Sequence, residues 1–195
     1  MKTTSKILLA ALAAVIIIMA AVIITIRVKA AQSVEFGTLT KTEREMIKEN
    51  VQIDGFTGIE TKGAWKLIIT QGTEYEVTAE YPKYIRDNVV ITLEGKTLSC
   101  ILTPGTSLNL GAAKLELTVT TPRLQEVRTE GGSQVILNDV NVPSLRLASR
   151  GASSFKGNSS VIENLYIDTE GASDVDMSES SITNAEVNMK GAGSA

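Results

Sequence analysis

Paired carboxylates are the residues in this chain whose types and spacing come nearest to chemistry. Asp174 and Asp176 flank Val175, so on a strand both point to one side, about 7 Å apart. Asp168 and Glu170 form a similar pair just before Gly171. Inverting glycosidases hold their two carboxyls about 6.5–9.5 Å apart, so the spacing permits a carbohydrate-active site. Any two acids at i and i+2 meet that test, however, and no Arg, Lys or Tyr cluster recurs beside these. A solvated face is the expected role. Glu170, Asp174, Asp176 and Glu179 form an acidic stretch that could hold a loose calcium ion, but the Gly-Gly-x-Gly-x-Asp pattern of calcium-binding repeats is absent. Solubility is its expected role.

Other chemistries fail on composition. The 195 residues include no histidine, which excludes a histidine-based triad, a Cys–His dyad and a His-ligated metal. Cys100 is the single cysteine, so there is no internal disulfide framework. In Leu98-Ser-Cys-Ile-Leu102 it shares a face with Leu98 and Leu102, as a buried small hydrophobe would. Trp65 is expected in the core. Tyr81 and Tyr84, in Tyr81-Pro-Lys-Tyr84, suit packing and sugar contact equally. No catalytic residue, cofactor or metal is expected. The net charge of −3 argues against a nucleic-acid partner, which would meet a basic face.

These residues need elements to carry them. Residues 7–26 read ILLAALAAVIIIMAAVIITI, apolar throughout except Thr25. Twenty such residues as a helix span the ~30 Å hydrocarbon core of a bilayer. A cleaved signal peptide has a shorter apolar region, so a transmembrane signal anchor fits best, with a cleaved signal as the alternative. Residues 1–29 form this export segment, residues 30–50 a linker, and residues 51–195 the ectodomain. Four of the nineteen Lys and Arg precede residue 30, leaving fifteen against twenty-two acids outside, a formal −7.

The second half repeats. LQEVRTEGGSQVIL, LRLASRGASSFKG, LYIDTEGASDVDM and AEVNMKGAGSA align on Gly131, Gly151, Gly171 and Gly191, each twenty residues after the last. Four residues before each lies Val127, Leu147, Ile167 or Val187, and Leu145 and Leu165 lie six before the second and third. Between these columns polar residues alternate at period two, as in half-buried strands. Short strands at a fixed interval predict a solenoid, here a single-stranded parallel β-helix with ~20-residue coils. The apolar columns become core ladders, and the glycines become coil corners that need a positive φ. The first half is β-rich without a period; Glu94-Gly95-Lys96 marks a hairpin. The last coil stops just past its corner, so its open edge invites self-association unless the chain continues; the second is favoured.

Phe56-Thr-Gly-Ile-Glu-Thr-Lys-Gly63, Leu67-Ile-Ile-Thr-Gln-Gly72, Tyr75-Glu-Val, Gly95-Lys-Thr-Leu98, Leu117-Thr-Val-Thr-Thr-Pro122 and the repeated Gly-Ala-Ser resemble the putative auto-transporter adhesin head GIN domain family over residues 50–195. The resemblance implies an exported, mostly parallel β-helix of bacterial cell envelopes, and carries no catalytic residues. The expected function is a non-enzymatic envelope protein, anchored in the cytoplasmic membrane by its N-terminal helix or secreted if the signal is cleaved. It would present a binding domain to a glycan or surface-protein ligand, with no nucleic-acid partner. The alternatives are a carbohydrate-active β-helix using Asp174 and Asp176, or a periplasmic scaffold assembling edge to edge.

Overall fold

The computed structural model describes residues 45–108 and 114–195. The apolar run at 7–26, and with it the expected anchor, lies outside the described residues. Among those described, no helix is long and apolar enough to cross a membrane.

Among the described residues twelve strands follow one another: β1 (Met46–Val51), β2 (Gly58–Lys62), β3 (Lys66–Gln71), β4 (Glu76–Pro82), β5 (Val89–Glu94), β6 (Thr97–Leu102), β7 (Glu116–Thr121), β8 (Glu126–Gly131), β9 (Gln134–Asn138), β10 (Asn141–Gly151), β11 (Ser154–Gly171) and β12 (Asp174–Gly191). A 3₁₀ turn, Lys83–Asn88, precedes β5. β1 begins inside the stretch read as a linker. Side-chain alternation explains the strands: in β3, Leu67 and Ile69 are buried while Lys66, Ile68 and Thr70 are half-buried. Gly95 and Lys96 make the two-residue turn between β5 and β6, with Gly95 at φ +62.

All twelve strands form one sheet, in the order β1-β4-β7-β3-β9-β11-β10-β8-β2-β6-β5, with β12 added beside β11. The long strand β11 joins its two walls: Ser154–Asn158 pairs with β9, and Val161–Gly171 with β10. This corrects the expected fold. The described residues are all-β, but their sheet rolls into a nearly closed barrel and is not a parallel β-helix solenoid. Three strand pairs, β1–β4, β4–β7 and β5–β6, are antiparallel, which a single-stranded parallel coil cannot contain. The twenty-residue period records which residues are neighbours in the sheet; it is silent on how the sheet curves and closes. Those neighbours are the parallel pairs Leu147↔Ile167↔Val187 and Gly151↔Gly171↔Gly191.

The rolled sheet encloses one apolar core that includes Phe56, Trp65, Leu67, Leu117, Leu137 and Phe155. Each fully buried side chain of this size contributes roughly 1.5–3 kcal/mol. On either side of Gly131, Gly151 and Gly171 the inward residues are small hydroxyls, bonded to one another or to backbone. Thr129 Oγ1 donates to Ser153 Oγ at 3.0 Å, Ser173 Oγ to Ser149 Oγ at 3.1 Å, and Ser133 Oγ to the Gly63 carbonyl at 3.0 Å. Buried polar groups without such partners would each cost about 1–3 kcal/mol.

Candidate binding face

The outward residues of β2, β8, β10, β11 and β12 come into register as transverse rows. One row runs Lys62, Glu130, Arg150, Glu170, Lys190, so its charge alternates at every strand. The next runs Glu60, Arg128, Ala148, Asp168, Asn188, and a third runs Glu126, Arg146, Tyr166, Glu186. Ion pairs stitch the rows both ways: Lys62 to Glu130 at 3.6 Å, Arg150 to Glu170 at 3.4 Å, Arg146 to Asp168 at 3.0 Å and Arg128 to Glu126 at 2.9 Å. A shallow groove of about 400 Å³ crosses the face, lined by Glu60, Arg128, Glu130, Arg150, Asp168 and Lys190 among others. Exposed pairs of this kind contribute only ~0–1 kcal/mol each, so a charged ligand can take them over at small cost. With both signs interleaved, the face can offer many directed polar contacts and little long-range pull on a polyanion.

The glycines Gly131, Gly151, Gly171 and Gly191 all have φ between +116 and +131 and stack on one another at the end of this face. Val127, Leu145, Leu147, Leu165 and Ile167 are buried, whereas Val187 is 47% exposed, because β12 has a neighbour on one side only.

The paired acids are engaged as ordinary acceptors. Asp174 accepts the Ser194 hydroxyl at 2.8 Å. Asp176 accepts the Ser178 hydroxyl at 2.6 Å and the Ser178 amide at 3.0 Å, and these bonds hold its carboxyl below the usual carboxylate range. A glycosidase general acid needs the opposite shift. Asp168 and Glu170 are taken by Arg146 and Arg150, and Glu179 by Lys156 at 3.2 Å. Among the described residues, no three of His, Cys, Asp and Glu converge on one point.

The aromatic candidates divide. Trp65 is buried and donates its indole N–H to the Lys62 carbonyl at 3.2 Å. Tyr81 is buried and donates to Glu49 Oε2 at 2.7 Å, while Tyr84 is 36% exposed, so Tyr81-Pro-Lys-Tyr84 presents one ring outward. Tyr166, which the sequence reading passed over, is the exposed aromatic within the charged rows. The rows themselves also went unread, although a signal existed: the residue before each aligned glycine is Glu130, Arg150, Glu170 and Lys190, changing sign every twenty positions.

Cys100 is fully buried, and burial pushes its thiol well above the ordinary range. It is therefore expected to ignore Ellman's reagent in the native protein and to react once denatured. The same shift has a sign for stability. Below the ordinary thiol value both states keep the proton; above about pH 8.5 the unfolded chain loses it first, so stability falls as pH rises. Tyr81, pushed up to about 12 by burial and then by its bond to Glu49, adds a second loss above about pH 10. Denaturation midpoints between pH 7 and 11 should fall accordingly, and a flat profile would refute this.

Comparisons with known proteins now bear on the face. The family described as putative auto-transporter adhesin, head GIN domain, matches residues 55–195. Among solved structures, a putative lipid-binding protein from Parabacteroides distasonis is similar with TM-score 0.51 and 12% identity, covering 74% of this chain and 78% of that one. A putative adhesin from Bacteroides fragilis reaches 0.48 at 14% identity, covering 78% and 97%. Another from Parabacteroides merdae reaches 0.42 at 12%, covering 76% and 79%. No curated protein matches the chain by sequence. Because the family match takes in nearly the whole described sheet, the chain belongs to the putative auto-transporter adhesin, head GIN domain family.

Proposed function

We propose that this chain is a non-enzymatic, adhesin-like binding protein of the bacterial cell envelope, which meets a glycan or surface-protein ligand on the charged face of β2, β8, β10, β11 and β12. Residues 1–29 serve as signal anchor or signal peptide and residues 51–195 as the binding head, while the stretch read as a linker gives its last residues, from Met46, to β1 of the sheet. The observation that carries the reading is the set of transverse rows: five strands hold both charge signs at ~4.8 Å steps, and the first row changes sign at every strand. The sugar-hydrolase alternative finds no support in Asp176, whose carboxyl is held low. Recognition is the sum of many exchangeable polar contacts, so it should weaken with added salt.

The test is the full chain in detergent on a glycan and matrix-protein array, with released sugar assayed in the same wells. Binding without release is expected. The variant Arg150→Glu, which places three acids in succession along the first row, should weaken it about tenfold while moving the thermal midpoint by no more than about 4 °C. Sugar release would overturn the reading, as would binding indifferent to Arg150.

A further inference from the structure

The start of β10 opens a cleft outside the charged face. β10 begins at Asn141, but its pairing with β8 begins only at Arg146, opposite Glu126. Residues 141–144 therefore have β11 on one side and no described strand on the other. Residues 122–125, between β7 and β8, face them across a cleft of about 340 Å³, within the ~300–1,000 Å³ of ligand sites. The linker is pinned in place: Thr121 Oγ1 donates to the Arg123 carbonyl at 3.0 Å, and Leu124 is buried. On the opposite side Gln71 Oε1 accepts the Asn141 amide. Leu124 and Val142 make an apolar floor, which Pro122 and Pro143 extend toward the surface. Gln125, Asn141 and Ser144 stand exposed at the rim.

The charge of this cleft has one sign. Arg123 lines it and is exposed, and among the described residues no acid lines it. Arg128, Arg146 and Arg150 each hold an ion pair, whereas Arg123 has none among the described residues. A guanidinium in that position offers two parallel donors to a carboxylate. From this arrangement we infer that the cleft binds the C-terminal carboxylate of a partner peptide whose last side chain is apolar. The carboxylate pairs with Arg123. The last side chain lies on Leu124, Val142 and the two proline rings. The peptide groups behind it exchange hydrogen bonds with Gln125, Asn141 and Ser144. Capture of a terminal carboxylate is a recurring mode of peptide recognition. A fatty acyl anion would meet the same cation but suits the rest of the cleft poorly. Its chain carries nothing for the three rim groups, so covering them removes their water without replacing it. The inference goes beyond the ligand reading of the charged face and does not depend on it, since none of these residues belongs to the rows.

The test titrates the full chain, in a nonionic detergent, with three probes followed by amide NMR shifts. They are the peptide acetyl-Gly-Ser-Leu as its free acid, the same peptide as its terminal amide, and hexanoate as an acyl anion without peptide groups. The free acid should bind and move the signals around Leu124 and Val142. The terminal amide should bind about tenfold more weakly, because it lacks the charge that Arg123 meets. Arg123→Gln should lose the same factor for the acid and leave acid and amide alike, while Arg123→Lys, which keeps the charge without the fork, should lose less. Arg150→Glu, on the charged face, should change nothing here. The comparison of acid with amide on the unaltered chain stands even where a variant folds poorly. Equal binding of acid and amide would overturn the inference, as would hexanoate binding as tightly as the peptide. Binding lost with Arg150→Glu but kept with Arg123→Gln would overturn it too, and so would the absence of any shift at millimolar free acid.

Discussion

Gly171→Ala is expected to destabilise the protein by about 3 kcal/mol or more, lowering the thermal midpoint by about 6–12 °C. Gly171 lies at φ +124, where a side chain is strained by about 1–3 kcal/mol whatever its surroundings. Its surroundings add to this. A Cβ on Gly171 would strike the carbonyl of Gly151, and one on Gly151 would strike that of Gly131. Backbone in a parallel ladder cannot give way without breaking its own hydrogen bonds. Gly95→Ala is the matched control. Gly95 also has a positive φ, +62, but a Cβ there meets nothing within 4 Å, so only the conformational cost of about 1–2 kcal/mol remains. Thermal melts of the two variants should therefore separate clearly. Equal losses would show that the close stacking of glycines contributes nothing.

The second large effect concerns a single column. Leu147 is fully buried between Val127 and Ile167, so Leu147→Ala should cost about 2–5 kcal/mol through lost burial and the cavity left behind. Val187 stands in the same column one strand beyond Ile167, yet it is 47% exposed, so Val187→Ala should cost less than about 0.5 kcal/mol. The residues are equivalent in the repeat; Leu147 has a strand on both sides and Val187 on one, and Leu147→Ala also removes the larger side chain. Denaturant titrations would measure both. Similar losses at the two positions would mean that the outermost strand is already covered.

Much of the second half was legible. The aligned glycines and the apolar residues four before them occupy matching positions on β8, β10, β11 and β12, because a fixed period in sequence becomes a fixed register in the sheet. Closure was not legible. β3, β7 and β4 form the other wall with β9, and they carry no period that would announce it. Gly63 belongs to the glycine stack, since a Cβ on Gly131 would meet its carbonyl at 2.7 Å, but it lies 68 residues upstream and outside any repeat. Local alternation identifies strands; it does not report which distant strand adopts them or whether the pairing is parallel. The charged face was hidden for a different reason. Each row assembles one residue from each of four or five strands, so its pattern exists only across the sheet. Cys100 and Trp65 were readable because their immediate apolar neighbours decide their burial.

The twenty-residue register also makes the length of this chain count in whole steps. Excising residues 152–171 would join Gly151 to Ala172 and leave inward and outward residues where they were. Excising nineteen would turn every following side chain to the wrong side. Each whole step shortens the wall by one strand, about 4.8 Å, and breaks the alternation of the row, because losing Glu170 sets Arg150 beside Lys190. The wall therefore behaves as a ruler with polarity: removing one strand brings two like charges together in the row, and removing two successive strands keeps the signs alternating.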